Sequence, residues 1–170
     1  MVGRMPDYND LPRNAGERDT LLAFLEWQRA TLARKCEGLT AAQLRERAVA
    51  PSTLSLLGLV RHMADVERGW FRRTLALEQV PDVFASAADP DGDFNGVDQA
   101  DPEEAFMAWR AECERARQIV AARSPDDTGR HRTGTAVSLR WILVHMIEEY
   151  SRHNGHADLL RQRIDGATGY

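Results

Sequence analysis

The sequence predicts a single all-α domain built as a four-helix bundle, with one short extra helix and long loops. Four long stretches repeat apolar side chains at helical spacing, which is typical of amphipathic helices. No stretch alternates apolar and polar residues over a run rich in β-branched side chains, as a half-buried strand would. A chain of 170 residues is long enough for one domain with its own core. Residues 1–15 lack a helical stretch and are expected to form an N-terminal arm.

Each helix is delimited by its apolar stripe and by residues that favour helix ends. The predicted long helices are Glu17–Glu37, Thr53 or Ser55 to Leu77, Pro102–Arg123 after the cap residue Asp101, and Ser138–Ile164. Thr40 is placed to cap the short extra helix, and Gly166 to end the last helix. A loop rich in Asp, Gly and Pro covers residues 81–100, and a loop of this length commonly lines a site or an interface. A second loop covers residues 124–137.

Composition and charge exclude some classes of function. The formal net charge of −4 and the pI near 5.7 argue against a nucleic-acid partner, which favours a basic surface. No apolar run of about 18 residues is present, so no membrane span is predicted. The first residues contain no apolar segment of the secretory type, and a cytoplasmic protein is expected. Cys36 and Cys113 are far apart and are expected to be buried thiols in a reducing compartment.

Four titratable residues share one face of the last predicted helix. At about 100° per residue, His145, Glu149, His153 and His156 fall within an arc of roughly 80°. Apolar residues of the same helix project in nearly the same directions, so this face should point into the bundle. A carboxylate buried beside imidazoles is costly unless it is paired or bound to a metal.

Two of these residues and a histidine of the second helix form a ligand set for one divalent metal ion. Glu149 and His153 are four residues apart, which places their Cβ atoms about 5–6 Å from each other on a helix. His62, at the edge of the apolar arc of the second helix, can supply the third ligand. Three protein ligands leave a position for water or substrate, and the donors suit zinc, nickel or iron. The alternatives are a surface salt-bridge pair or a buried Glu–His network without metal. A di-iron site would need two Glu-x-x-His motifs, which are not found.

Two further histidines flank the predicted ligands. His156 lies one turn past His153 and is expected to be a pocket wall, a further ligand or a core residue. His145 lies one turn before Glu149, where a hydrogen-bonding or packing role is expected. Both are the candidate catalytic residues, because either one can relay protons beside the metal set.

The remaining conspicuous side chains have simpler interpretations. His131 lies in the second loop and is expected to be solvated. Trp70 and Trp141 are expected to belong to the core rather than to a substrate platform. The arginines of the second helix are expected to form a solvated face.

Two segments carry a resemblance to a known family. The segments STLSLLGLVRHMADVERGWF and HMIEEYSRHNGHADLLRQRIDGATG resemble the DinB/YfiT-like metalloenzyme superfamily, and the resemblance extends from the first helix to DGATG. It implies an antiparallel four-helix bundle with an unusual order of connections. It also implies a metal site made of one histidine on the second helix and two ligands four residues apart on the last. Many members have histidine where this chain has Glu149. The N-terminal domain of the mycothiol-dependent maleylpyruvate isomerases in the same superfamily has His–Glu–His around zinc.

The resemblance also implies a function. Characterised relatives use low-molecular-weight thiols, so we expect a divalent-metal-dependent transferase that joins a thiol such as mycothiol to small electrophiles. Zinc is the first expectation, with nickel or iron as alternatives. The alternative functions are a metal-dependent hydrolase and a non-catalytic bundle that binds metal or another ligand. The expected partners are a small-molecule substrate and a second copy of the chain in a homodimer, without nucleic acid or membrane.

Overall fold

The computed structural model describes residues 7–169 and is dominated by four long helical segments. These are α1 (Glu17–Cys36), α3 (Leu56–Glu67) with its π-helical continuation Arg68–Leu75, α5 (Pro102–Ala121) and α6 (Leu139–Asp165). The short elements are α2 (Ala41–Arg45), α4 (Gly92–Asn95), the 3-10 turns Tyr8–Asp10 and Gly96–Gln99, and the strands β1 (Thr128–Arg130) and β2 (Ala136–Ser138). The prediction of an all-α helical bundle is confirmed.

The helices begin and end at the residues whose side chains favour helix ends. The Thr40 side chain caps α2 by accepting from the Gln43 N–H, and Asp101 caps α5 by accepting from the Glu103 N–H. Ser138 caps α6 by accepting from the Trp141 N–H, and Gly166 ends this helix with a φ of 78°.

Contacts at both ends of α1 fix the directions of the helices. Arg140 at the start of α6 pairs with Glu17, and Arg161 near its end donates to the Lys35 and Glu37 carbonyls. Thus α1 and α6 run in the same direction. Arg18 at the start of α1 instead donates to the carbonyls of Val120 and Arg123 at the end of α5, so α5 runs the opposite way.

A buried polar network ties the four long segments together. Arg29 of α1 donates to both oxygens of Glu67 of α3, at 2.7 and 2.5 Å. The Tyr150 hydroxyl of α6 donates to Glu67 at 2.7 Å and accepts from the Trp109 indole N–H of α5 at 2.8 Å. All four side chains lie in the core. Because Glu67 follows His62 on α3 and Tyr150 follows Glu149 on α6, the network fixes the two helices next to the predicted ligands.

The two predicted loops contain short elements that the sequence analysis did not predict. β1 and β2 pair as an antiparallel hairpin within the second loop, with Gly129 opposite Val137. The first loop includes α4, which lies against α3, and a 3-10 turn that follows α4. Of the N-terminal arm, residues 7–15 are described, and Tyr8 contacts the Trp27 ring edge-on at 5.4 Å between centroids. Within residues 7–169, no helix combines the length and apolar character needed to cross a membrane.

Candidate metal centre

The structure brings together the three side chains predicted as metal ligands, at the place where α3 packs on α6. His62 Nε2 lies 3.5 Å from Glu149 Oε1, and His153 Nε2 lies 3.4 Å from the same oxygen. The three donor atoms all lie within 4.8 Å of one another. In a tetrahedral zinc site with bonds of about 2.0–2.1 Å, neighbouring donor atoms are about 3.3 Å apart. The spacing of this donor set therefore fits one divalent ion.

The three donor side chains are mostly buried, but each keeps some exposed surface. The exposed fractions of the side chains are 23% for His62, 14% for Glu149 and 11% for His153. Burial lowers the pKa of His153 to about 4, and the charge of His62 acts in the same direction. Burial opposes ionisation of Glu149, but His153 and His62 together lower its pKa. A neutral imidazole and an ionised carboxylate are the protonation states in which these groups bind a metal.

Asp93 is a member of the site that the sequence analysis missed. Its Oδ2 atom lies 2.7 Å from His62 Nδ1, and its carboxylate is only 6% exposed. Burial opposes the charged form of His62, but the hydrogen bond and charge of Asp93 raise the pKa of this imidazole. When Nδ1–H donates to Asp93, the Nε2 lone pair of neutral His62 faces Glu149 Oε1 and is free to bind a cation. A carboxylate that holds the far nitrogen of an imidazole is common around metal ligands.

The loop that carries Asp93 is fastened to α3 at several points. Arg61 donates to the carbonyls of Gly92 and Asp93, both at 2.9 Å. Phe94 lies against the His62 ring, with 5.2 Å between centroids. A Cβ atom on Gly58 would lie 2.8 Å from Phe94 Cδ1, so only glycine leaves room for this ring. The long loop therefore lines the site, as its length suggested.

The prediction that the arginines of the second helix form a solvated face is wrong for Arg61, Arg68 and Arg72. Arg61 bonds to the loop, as described above. Arg68 and Arg72 both pair with Glu112 of α5, at 2.5 and 3.1 Å. These arginines instead attach α3 and its continuation to neighbouring elements.

His156 contacts one of the three donors. Its Nδ1 atom lies 3.4 Å from Nδ1 of His153, and the ring is half-buried. One proton is shared in this contact. If Nε2 of His153 is the metal donor, Nδ1–H of His153 donates to His156, which orients the His153 ring.

His145 lies on the other side of Glu149. One of its ring nitrogens belongs to a second group of possible donors with Glu148 and Glu149, again within 4.8 Å. Glu148 is 47% exposed and pairs with Arg152. That second group therefore lies at the surface, and the more buried set with His62 is the better metal site.

A cluster of aromatic rings surrounds His145 and corrects two predictions. Trp141 is 49% exposed rather than buried in the core, and it stacks on His145 with 5.1 Å between centroids. Trp70 is half-buried and contacts both rings. His131 is not simply solvated, because it stacks on Trp70 at 5.5 Å.

A separate cleft of about 230 Å³ lies between α1 and α5, away from this site. It is lined in part by Arg29, Arg117 and Glu26, whose charged groups already pair with one another. Cys113, a buried free thiol like Cys36, lies in the same cleft. The convergent donor atoms at His62, Glu149 and His153 make that cluster the stronger candidate site.

Comparison with known proteins bears on this geometry. No curated protein sequence matches the chain significantly. The family model described as mycothiol-S-transferase matches residues 20–166, which include most of α1, all of α6 and every residue of the candidate centre. Because the match covers most of the chain and agrees with the DinB/YfiT-like resemblance, the chain belongs to the mycothiol-S-transferase family.

Proposed function

We propose that this chain is a divalent-metal-dependent S-transferase that joins mycothiol, or a similar small thiol, to small electrophiles. One observation carries the proposal. In a chain of the mycothiol-S-transferase family, two imidazole nitrogens and a carboxylate oxygen converge at a partly open position between two helices. His62, Glu149 and His153 would hold the ion, with zinc first among the candidates and nickel or iron after it.

A bound ion would lower the pKa of a thiol and polarise an electrophile. Glu149 adds a negative charge to the donor set, which reduces the acidifying power of any ion held there. A thiol, with a pKa near 8.5, still ionises readily in such a site, whereas water starts from a far higher pKa. The presence of Glu149 therefore favours thiol chemistry over the alternative of hydrolysis.

The reaction is a substitution without redox change. The thiol loses its proton, and the sulfur electron pair forms a bond to the electrophilic carbon. The bond from that carbon to its leaving group breaks, and the leaving group departs with the bonding pair. The products are a thioether, the departed leaving group and the proton that the thiol released. No oxidant or reductant is needed.

The chain's own residues have separate tasks in this reaction. Asp93 holds His62 in the tautomer that presents Nε2 to the site, and His156 orients His153 in the same way. His145 lies beside Glu149 on the solvent side, where it can accept the thiol proton and pass it to water. His156 is the second candidate for that proton.

The test is transfer by the metal-loaded protein. Purified protein is loaded with zinc, nickel or iron, and mycothiol alkylation by monobromobimane is followed by fluorescence. His62→Ala, Glu149→Ala and His153→Ala should each lose most of the metal by elemental analysis and most of the activity. Glu114→Ala serves as the control, because Glu114 is an exposed residue of α5 with a 59% exposed side chain.

Two results would contradict the proposal. Full metal content in all three ligand variants would place the metal elsewhere. Hydrolysis of esters without thiol consumption, in a protein that does not alkylate mycothiol, would favour the hydrolase alternative.

A further inference from the structure

A row of aromatic rings leads from the candidate centre to the surface. It begins at His145, which is within 4.8 Å of a Glu149 oxygen, and continues through Trp141 and Trp70 to His131. Successive ring centroids are 5.1 to 5.5 Å apart, and Trp70 also contacts His145 at 4.6 Å. Three elements contribute these rings: α6, the π-helical turn after α3, and the hairpin. We call these four rings the aromatic row.

Trp70 of the aromatic row packs against the core, but Trp141 does not. Half of the Trp141 surface is exposed, although it lies in the first turn of a long helix that buries its neighbours Ile142 and Leu143. A π-helical turn, which is a rare element often found at functional sites, carries Trp70. An exposed indole beside a candidate active site can bind a flat ring of a substrate.

Polar groups border the aromatic row on the hairpin side. His131 Nδ1 lies 2.9 Å from the Thr133 hydroxyl, which lies 3.2 Å from the Thr135 hydroxyl, and both threonines are exposed. A flat apolar face next to exposed hydroxyls suits a sugar ring better than a hydrocarbon. A sugar presents C–H groups to an indole face and hydroxyls to polar neighbours.

The distance from Trp141 to Glu149 along α6 matches the size of a thiol that carries sugar rings. Trp141 precedes Glu149 by eight residues, which corresponds to about 12 Å along an α-helix. In mycothiol the cysteinyl arm is joined by an amide to an amino sugar, which carries an inositol ring. The arm is about as long as two extended residues, roughly 7 Å, and the rings extend it further.

We infer that the aromatic row, in which Trp141 is the most exposed ring, binds the sugar portion of the thiol carrier while the sulfur reaches the candidate centre. The inference rests on the proposed function for its ligand. It assigns selection of the thiol to Trp141, a residue that touches neither the donor set nor the reacting sulfur.

The test uses two ligands whose sulfur is blocked, so that binding needs neither transfer nor ionisation. They are S-methyl mycothiol and S-methyl-N-acetylcysteine, which lacks the sugars. Calorimetric titration is done on full-length wild type, Trp141→Ala, Trp141→Tyr and the control Met107→Ala. Met107 is a 58% exposed residue of α5.

Wild type should bind S-methyl mycothiol more tightly than the sugar-free ligand. Trp141→Ala should weaken S-methyl mycothiol binding by roughly threefold to tenfold, which is the usual worth of one aromatic contact. The same substitution should leave the affinity for the sugar-free ligand unchanged. Trp141→Tyr, which keeps a flat ring, should retain most of the affinity, and Met107→Ala all of it.

Equal affinity of wild type and Trp141→Ala for S-methyl mycothiol would overturn the inference, even if the protein transfers mycothiol. So would a Trp141→Ala effect confined to the KM of apolar electrophiles, because the row would then bind the acceptor. Conversely, Trp141-dependent binding in a protein that transfers no thiol would support the subsite and refute the proposed function.

Discussion

Asp93 supports the candidate metal centre without belonging to its donor set. It is buried, it faces His62 Nδ1, and its other oxygen accepts the Phe94 N–H at 3.0 Å. We predict that Asp93→Asn lowers zinc affinity by roughly 10–100-fold, because the amide cannot supply the charge that orients and strengthens His62. Competition with a chromophoric chelator measures the affinity.

Asp98→Asn is the matched control for this change. Asp98 belongs to the same loop, but its carboxylate is 64% exposed and pairs with Arg47. Its replacement should leave zinc affinity unchanged. Equal affinities for both variants and wild type would mean that Asp93 does not support the site.

The two cysteines provide a prediction that depends on pH. Burial raises the pKa of the Cys36 thiol to about 12, and burial also raises the pKa of Cys113. At pH 8 the native protein should therefore react very slowly with a disulfide reagent, while two thiols react in urea. A raised folded-state pKa stabilises the native state below the unfolded pKa, so this stability should fall as pH rises from about 9 towards 12. Rapid labelling of native protein at pH 8 would contradict the prediction.

Residue periodicity predicted the three candidate metal ligands but not Asp93, which holds one of them. Glu149 and His153 could be paired from their spacing on one helix, and His62 from its place on another apolar face. Asp93 could not be found in this way, because it lies in a loop rich in aspartate, and only the folded loop singles out one carboxylate. Trp141 was expected in the core because it is a large apolar residue. Its type does not reveal whether another element covers it in the folded chain.

The attachment of the α4 loop to α3 yields a prediction for one glycine. We predict that Gly58→Ala destabilises the protein by about 1–2 kcal/mol, because the new Cβ must displace the Phe94 ring. It should also weaken zinc binding, since Phe94 lies against His62. Urea denaturation and chelator competition measure the two effects.

Gly155 of α6 is the control for the helix propensity of alanine. A Cβ atom there meets nothing within 4 Å. Gly155→Ala should therefore stabilise the protein by about 0.5–1 kcal/mol. If both variants are stabilised equally, the α4 loop moves aside easily and does not hold the site.

Element ends were more predictable from the sequence than element interiors. Thr40, Asp101 and Gly166 act locally, so their effects could be recognised in the sequence. The hairpin strands have three residues each, which is too short for a period to be seen. Gly129 of β1 packs so closely on the Thr74 carbonyl that a side chain would clash. This contact is made only in the folded chain and could not be found from the sequence. The π-helical turn had no recognised signal, and we have no physical account of its origin.

At the scale of the whole molecule, the expected homodimer stays a prediction. Large exposed apolar side chains lie on several elements, including Met107 on α5 and Leu159 on α6. Light scattering at micromolar concentration should give twice the chain mass of 19.1 kDa. A monomer mass under these conditions would rule the dimer out.

Metal removal should leave the fold intact, because the core does not need the donor set. Leu25, Met63, Val120 and Met146 represent a cluster that joins the four long segments. The buried Arg29–Glu67 ion pair links α1 to α3 without involving the donor set. Chelation should therefore preserve the helical circular dichroism signal, unlike in a zinc finger.

Metal should still raise the melting temperature by mass action. Free zinc at one hundred times its Kd adds about 2.7 kcal/mol of stability. For a chain of this size that corresponds to a shift of about 5–10 °C. His153→Ala, which removes one donor, should show little of this shift while remaining folded. If chelation unfolds wild type, or if His153→Ala gains as much from zinc as wild type does, the ion has a structural role or binds elsewhere. Retained helix with a metal-dependent shift in wild type alone would fit an ion that serves chemistry at a prefolded site.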